Sequence, residues 1–367
     1  MVKLLITSDI NLGSTDSVLS INDQEKYFSF DRILLLAKEH NVLIMCGNIF
    51  NDNADDACII TVKNKLVELA LSGISIILCP GANDYKIISR DFSNILSENI
   101  QVFSAASELQ INEQQISGNE IFFYNYFNPG ASEVINITRK TDSGVHIALL
   151  NFDIKKNNFL VDSEFVKMYI AKKLMDFYAV GGDENFRIYK IQNDIIAAYP
   201  GSPEISSLTD IGNKYCLSIE ISENKIIKYK RIAVNYFSIK KIELDLTNKF
   251  CGDIINILET TMINDNIIYL LNFYGIRNFV INDTFISTIR GLNKKFHITD
   301  SSIGSCVMII DDYCKNCMSD EYILTMKNVC DRNVSGNIDS ISLSSLINIF
   351  FSTDDYTEEM FCRYFNV

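Results

Sequence analysis

Histidine is nearly absent: the chain of 367 residues contains three, His40, His146 and His297. Any chemistry that depends on several imidazoles is therefore starved of them. Basic charge is also short, with 33 Lys+Arg against 46 Asp+Glu, a formal net charge of −13 and a pI near 4.8. That excludes wholesale electrostatic capture of nucleic acid and leaves room only for a local basic groove. No run of 18 residues lacks polar groups, which excludes a membrane-spanning helix and a membrane partner. The opening MVKLLITSD is too short and too soon acidic for a signal peptide. The ten Cys are scattered, and free thiols in a reducing cytoplasm are expected. What is present is core material: 47% apolar residues, including 23 Phe and 17 Tyr, against 22% charged. A long disordered protein is excluded, and the length suits two domains better than one.

The first half has a rhythm. Leu4-Leu5-Ile6, Val42 to Met45, Ile74 to Leu78 and Ile147 to Leu150 read as strands buried on both faces. Between them, Phe30 to His40 sets apolar Ile33, Leu34, Leu36 and Ala37 against charged Asp31, Arg32, Lys38 and Glu39. Asp56 to Ser72 is similar, with Gly73 where a helix terminator belongs. Strand and helix alternating at this spacing imply a doubly wound α/β sheet, whose ligands sit beyond the carboxyl ends of the strands.

The loops at those ends carry the polar residues. They are Ser8-Asp9-Ile10-Asn11-Leu12-Gly13, then Cys46-Gly47-Asn48-Ile49-Phe50-Asn51, then Pro80-Gly81-Ala82-Asn83-Asp84. The fourth run ends at Asn151, and Phe177 to Val180 ends at Gly181-Gly182-Asp183-Glu184. Five such loops are expected to converge on one cleft.

This ordered set resembles the calcineurin-like metallophosphoesterases, and within them the SbcD-type DNA repair exonuclease subunit. The family signatures are SDIHLG, GDLFD, a G-N-H-D after proline, a His after the fourth strand, and ALGHIH. FDRILLLAKEHNVLIMCGNIF follows the family's first helix and second strand. Tyr199-Pro200-Gly201-Ser202-Pro203-Glu204 matches the segment after the last motif, and Ile226 to Leu246 also fits. The likeness covers residues 1–245 well and the next seventy weakly. It implies a four-layer α-β-β-α sandwich over residues 1–236, a small α/β cap over 237–310 and a helical C-terminal segment over 311–367.

The resemblance implies seven side chains holding two metal ions, with one further catalytic His. Only Asp9 survives among the ligands. The other positions carry Asn11, Asn48, Ala82, Asn151, Gly182 and Glu184, and the catalytic His is Asn83. Asp84 keeps the acid that would orient that His. A two-metal site needs charged or strongly basic ligands to hold its ions and generate hydroxide. Neutral amides do not replace imidazole for Mn, Fe or Zn. An inactive phosphoesterase without cofactor is therefore expected. The alternative is a nuclease or phosphoesterase with one Mg, Ca or Mn ion held by Asp9, Asp183 and Glu184, with Asp84, Asn11 and Asn48 nearby.

Other features are weaker. Cys314 and Cys317 could begin a zinc site with Cys330 and Cys362, but lack a second close pair. Lys225, Lys228, Lys230 and Arg231, beside Tyr229, read as a solvated strand face or a phosphate track. From Asp311 onward there are 10 Asp+Glu and 4 Lys+Arg, a net −6, so this is no DNA tail. Leu343, Leu346, Ile347 and Phe350 fall on one helical face, and Met360, Phe361, Tyr364 and Phe365 form a second apolar group. Either packs on its own cap or docks a partner. The resemblance implies that partner to be an SbcC-type coiled-coil ATPase. A scaffold or DNA-architecture subunit is the function expected, with DNA contact weak and a homodimer left open.

Overall fold

The computed structural model describes residues 1–13, 25–95, 97–103, 108–127, 137–151, 174–191, 194–247, 249–261, 264–277, 281, 283–293, 295–298 and 307–308. The expected C-terminal helical segment, its docking residues Leu343, Leu346, Ile347 and Phe350, and Cys314, Cys317, Cys330 and Cys362 lie outside these. The chain divides into two compact units after Ser238, two residues beyond the expected boundary. Tyr236 and Phe237 stay with the first unit because their backbone N–H groups donate to the buried Glu204 carboxylate. Among the described residues no helix is long and apolar enough to cross a membrane.

The first unit runs β1 (Val2–Thr7), α1 (Phe28–Ala37), β2 (Val42–Cys46), α2 (Asp56–Leu71), β3 (Ser75–Cys79), α3 (Tyr85–Ile87) and β4 (Ile100–Val102). It continues through β5 (Leu109–Ile116), β6 (Asn119–Tyr126), β7 (Val145–Asn151), β8 (Phe177–Gly181), β9 (Arg187–Ile191), β10 (Asp194–Tyr199), β11 (Tyr215–Ser222) and β12 (Lys225–Ala233). These strands form two six-stranded sheets, ordered β12-β11-β1-β2-β3-β4 and β5-β6-β7-β8-β10-β9. In the first, β1 to β4 run parallel, with β11 and β12 antiparallel at one side. In the second, β6, β7, β8 and β10 run parallel, flanked by antiparallel β5 and β9.

Side-chain alternation explains why the sheets stack. Leu4, Ile6, Val42, Ile44, Cys46 and Ile77 point into one core, where they meet Ile121, Phe123, Ile147, Leu149, Phe177 and Ala179 of the second sheet. The intervening Leu5, Leu43, Met45, Ile76 and Leu78 point the other way, under Phe30, Ile33 and Ala37 of α1 and Val62, Leu66 and Leu69 of α2. Each large side chain so buried contributes roughly 1.5–3 kcal/mol. Asp55 caps α2 by accepting from Cys58 N at 2.7 Å. Gly73, with φ +91°, supplies the left-handed turn that ends it. The outer face of the second sheet buries Phe122, Tyr124, Ala148 and Tyr178 with Ile137 and Met175; the fourth layer expected there lies outside the described residues.

The result is a two-sheet α/β sandwich, as expected for residues 1–236, where the strand–helix rhythm alone implied one doubly wound sheet. Strands buried on both faces read alike whether they share a sheet or face one another, so the rhythm alone merges two sheets into one.

From the second residue of β13 (Ser238–Asp245) onward, the second unit runs through α4 (Cys251–Thr260), β14 (Ile267–Tyr274), β15 (Ile276–Arg277), α5 (Asp283–Leu292), β16 (Phe296–Ile298) and β17 (Val307–Met308). Its three-stranded sheet is ordered β13-β14-β16. Leu246, Ile254, Leu258, Leu271, Phe273 and Ile289 close its own small core.

Candidate functional site

Because β1, β2 and β3 are parallel, their carboxyl ends share one edge of the first sheet, and β7 and β8 deliver theirs from the second. The loops then turn sharply. Asp9, Asn11 and Asn48 each adopt φ +53°, with Gly47 at +81° and Gly182 at +100°. Asp and Asn enter this left-handed region more readily than most residues, which suits them to these positions. Main-chain bonds zip the first two loops together: Asp9 N to Gly47 O at 3.0 Å, Asn11 N to Asn48 O at 2.9 Å and Leu12 N to Ile49 O at 2.9 Å.

Side chains complete the junction. Asp9 is 3% exposed and Asn48 6%. The Asn48 amide donates to Asp9 Oδ1 at 2.8 Å, and its carbonyl oxygen accepts from Asn83 N at 3.1 Å. Gly182 N, from the second sheet, donates to Asp9 Oδ2 at 2.9 Å. Asn11 Nδ2 donates to the Asp9 carbonyl at 3.1 Å, and Asn83 Nδ2 reaches Asn11 Oδ1 at 3.5 Å. Asp84, wholly buried, accepts from Ile49 N at 2.6 Å, Gly81 N at 2.7 Å and Phe50 N at 3.3 Å. Asn151 donates its amide to Cys46 O at 3.0 Å, while its Oδ1 has no hydrogen-bond partner among the described residues. The cleft residues read from the sequence, Asp9, Asn11, Asn48, Asn83, Asp84, Asn151 and Gly182, are thus brought to one place.

Glycine makes the approach close enough. A Cβ on Gly181 would collide with the Cys46 carbonyl oxygen, and one on Gly47 with the Asn151 amide. The two sheets meet here backbone to backbone, with no room for a side chain between them.

Burial sets the electrostatics. Desolvation pushes the Asp9 carboxyl up to about 7, against the stabilising bonds from Asn48, Gly182 and Ser8, and the nearby Asp183 charge adds to the rise. Asp84 is likewise pushed up to about 6 by desolvation, although several backbone N–H groups pull it down.

These donors do not fit a two-metal centre. Among the positions that the resemblance assigns to ligands, Asp9 alone carries an ionisable side chain within the network, and both its oxygens are engaged. At position 48 the amide nitrogen, a donor, faces Asp9 where a bridging carboxylate would be needed. Ala82 and Gly182 offer no side-chain ligand. The one-cation alternative does not assemble either. Asp183 pairs with Arg187 Nε at 2.8 Å and accepts from Asn185 N at 2.9 Å, while the Glu184 carboxylate accepts from Ser206 Oγ at 3.5 Å. Among the described residues no three His, Cys, Asp or Glu side chains are grouped to hold a metal ion.

The His residues do other work. His40 Nδ1 donates to Leu36 O at 2.8 Å, and Nε2 accepts from Ser218 Oγ at 2.9 Å, closing the end of α1. His146 accepts from Tyr124 OH at 2.8 Å, donates to Ser143 O at 2.9 Å and stacks on Phe122. Lys225, Lys228, Lys230 and Arg231 lie exposed on the edge strand β12. Lys228 pairs with Glu220 at 3.6 Å, and Arg231 sits over the Phe186 and Tyr215 rings. Among the described residues β12 has no second neighbour, and lysines on such an edge guard it against pairing with another chain. Sequence reasoning missed the part played by Glu204, which gathers Ser29, Ile205, Tyr236 and Phe237. Only its place in the matched segment hinted at it.

No protein-family model matches the chain, and no curated protein matches it. Solved structures do. TT1561 of Thermus thermophilus matches at 11% identity and a TM-score of 0.40, over 64% of this chain and 99% of its own. A hypothetical protein from the same organism matches at 7% identity and a TM-score of 0.38, over 63% and 98%. A single mutant of Vps29 from Entamoeba histolytica matches at 12% identity and a TM-score of 0.29, over 63% and 98%. These are weak likenesses of shape.

Proposed function

We propose that this chain is a phosphoesterase-fold protein that acts by contact and not by catalysis. The observation that carries the reading is the Asn48 amide donating to Asp9 at 2.8 Å. A hydrogen-bond donor stands where two metal ions would need a shared anionic ligand, so nothing there gathers the charge that activates water. Asp84, saturated by backbone N–H groups, is a loop-holding residue and not an acid aimed at a substrate.

The role then falls to surfaces. The sequence resemblance supports a scaffold or DNA-architecture subunit, with an SbcC-type coiled-coil ATPase as the partner and Leu343, Leu346, Ile347 and Phe350 as the dock. Two measurements test this. The purified full chain, given Mn²⁺ and either a phosphodiester dye or single-stranded DNA, is expected to show no turnover above background. Turnover that follows the protein through purification and vanishes in Asp9→Ala would overturn the non-catalytic reading. Co-purification of a coiled-coil ATPase from the native cell supports the partner, and its loss in the L346D/F350D double substitution supports the dock.

A further inference from the structure

We infer that Asn48 is the positioning residue that makes this cleft self-supporting: its carboxamide joins the β1 and β3 loops directly and the β8 loop through Asp9, and exchanging it for a carboxylate leaves two buried carboxylates that need a divalent cation or a shared proton between them. The inference rests on the non-catalytic reading but is measured by unfolding and not by turnover, so the two fail separately.

The geometry is that of a two-ended bridge. Asn48 belongs to the loop after β2. Its Nδ2 end reaches the β1 loop through Asp9 Oδ1 at 2.8 Å, and its Oδ1 end reaches the β3 loop through Asn83 N at 3.1 Å. Asp9 passes the connection to the β8 loop, in the other sheet, through Gly182 N at 2.9 Å. Each bond runs from a donor to an acceptor, and both Asp9 and Asn48 are more than nine-tenths buried. Only a side chain with one donor and one acceptor end satisfies both neighbours, and at this length Asn does so without binding a proton.

A carboxylate at position 48 keeps the acceptor for Asn83 N and loses the donor for Asp9. Two buried carboxylates then face each other at hydrogen-bond distance, an arrangement that needs a cation or a shared proton between them. The left-handed backbone at 9 and 48 is tolerated equally by Asp and Asn, so exchanging them tests the hydrogen bonds and not the turns.

The test is thermal unfolding of the full chain in EDTA, and in MgCl₂ or MnCl₂ alone. The wild type is expected to keep its midpoint in all three. Asn48→Ala should lose roughly 5 °C or more and not respond to metal. Asn48→Asp should lose as much or more in EDTA and regain most of it with Mn²⁺ or Mg²⁺. The swapped pair D9N/N48D restores a donor facing an acceptor, because Asn at position 9 can donate to the carboxylate at 48 while accepting from Gly182 N. It should recover most of the loss without metal, whether or not Asn48→Asp folds alone. An Asn48→Ala midpoint equal to wild type, or a swapped pair no better than the sum of its single changes, overturns the clasp. Failure of Mn²⁺ and Mg²⁺ to raise the Asn48→Asp midpoint overturns the cation dependence.

Discussion

Replacing Asp9 by Asn should stabilise the protein at pH 8 and do so distinctly less at pH 5. Asp9 has an ordinary carboxyl value of 3.8 and is pushed up to about 7 in the folded chain, chiefly by desolvation. Between pH 4 and pH 7 the native state therefore holds a proton that the unfolded chain has released. Stability from this group is highest at low pH, falls as pH rises through that window and is flat above about pH 8. The gap spans roughly three pH decades at about 1.4 kcal/mol each, which sets a ceiling of about 4 kcal/mol on the cost of the charged form at pH 8. An Asn at position 9 removes the buried charge and keeps one oxygen at the Oδ1 place, 2.8 Å from Asn48 Nδ2 and 3.1 Å from Gly182 N, while giving up the 2.9 Å bond from Gly182 N to Oδ2. With relaxation, a gain of about 1–3 kcal/mol is expected at pH 8, or roughly 2–12 °C in midpoint for a unit of this size. Asp84 titrates in both proteins and cancels in the comparison. The assay is paired thermal or urea unfolding of wild type and Asp9→Asn from pH 5 to pH 8.5. A variant that is less stable at pH 8, or a difference that does not change with pH, would refute the reasoning.

Asp84→Ala should cost about 3 kcal/mol or more by urea unfolding, because it strips the acceptor from three buried N–H groups. A loss below about 1 kcal/mol would show that those groups find other partners. Gly181→Ala should destabilise by at least 1–3 kcal/mol, the usual range of overpacking, since its Cβ meets the Cys46 carbonyl oxygen and, at 2.7 Å, the Asn151 amide. A midpoint within 1 °C of wild type would mean that the sheets do not meet as closely as described.

Much of this was legible before the structure, for physical reasons. The strands β1, β2, β3, β7 and β8 showed because burial on both faces demands unbroken apolar runs. The α1 and α2 helices showed because one apolar stripe must meet that sheet. The loop polarity at Asp9, Asn48, Asn83, Asn151 and Gly182 pointed to one cleft, and parallel strands do bring those ends together. What the strand–helix rhythm alone left hidden was the division into two sheets, which only the family resemblance implied, since period-two burial carries no information about which sheet a strand joins. Equally hidden was the direction of each amide. Asn at position 48 could have offered its oxygen to a cation; the facing Asp9 carboxylate, not the residue type, turns its nitrogen inward. The set Asp9, Asp183 and Glu184 was expected from loops converging on one cleft, yet Asp183 pairs with Arg187 and Glu184 accepts from Ser206. Glu204 was invisible because its partners, Ser29 and Tyr236, lie 175 and 32 residues away.

The central claim is that hydrogen bonds, and not metal ions, hold this cleft. Its most direct test is calorimetric titration of the metal-stripped full chain with Mn²⁺ at pH 7.5, with Asp9→Ala as control. The account predicts no saturable binding at micromolar Mn²⁺ that distinguishes wild type from the control. Stoichiometric uptake of one or two ions by the wild type, abolished in Asp9→Ala, would contradict it.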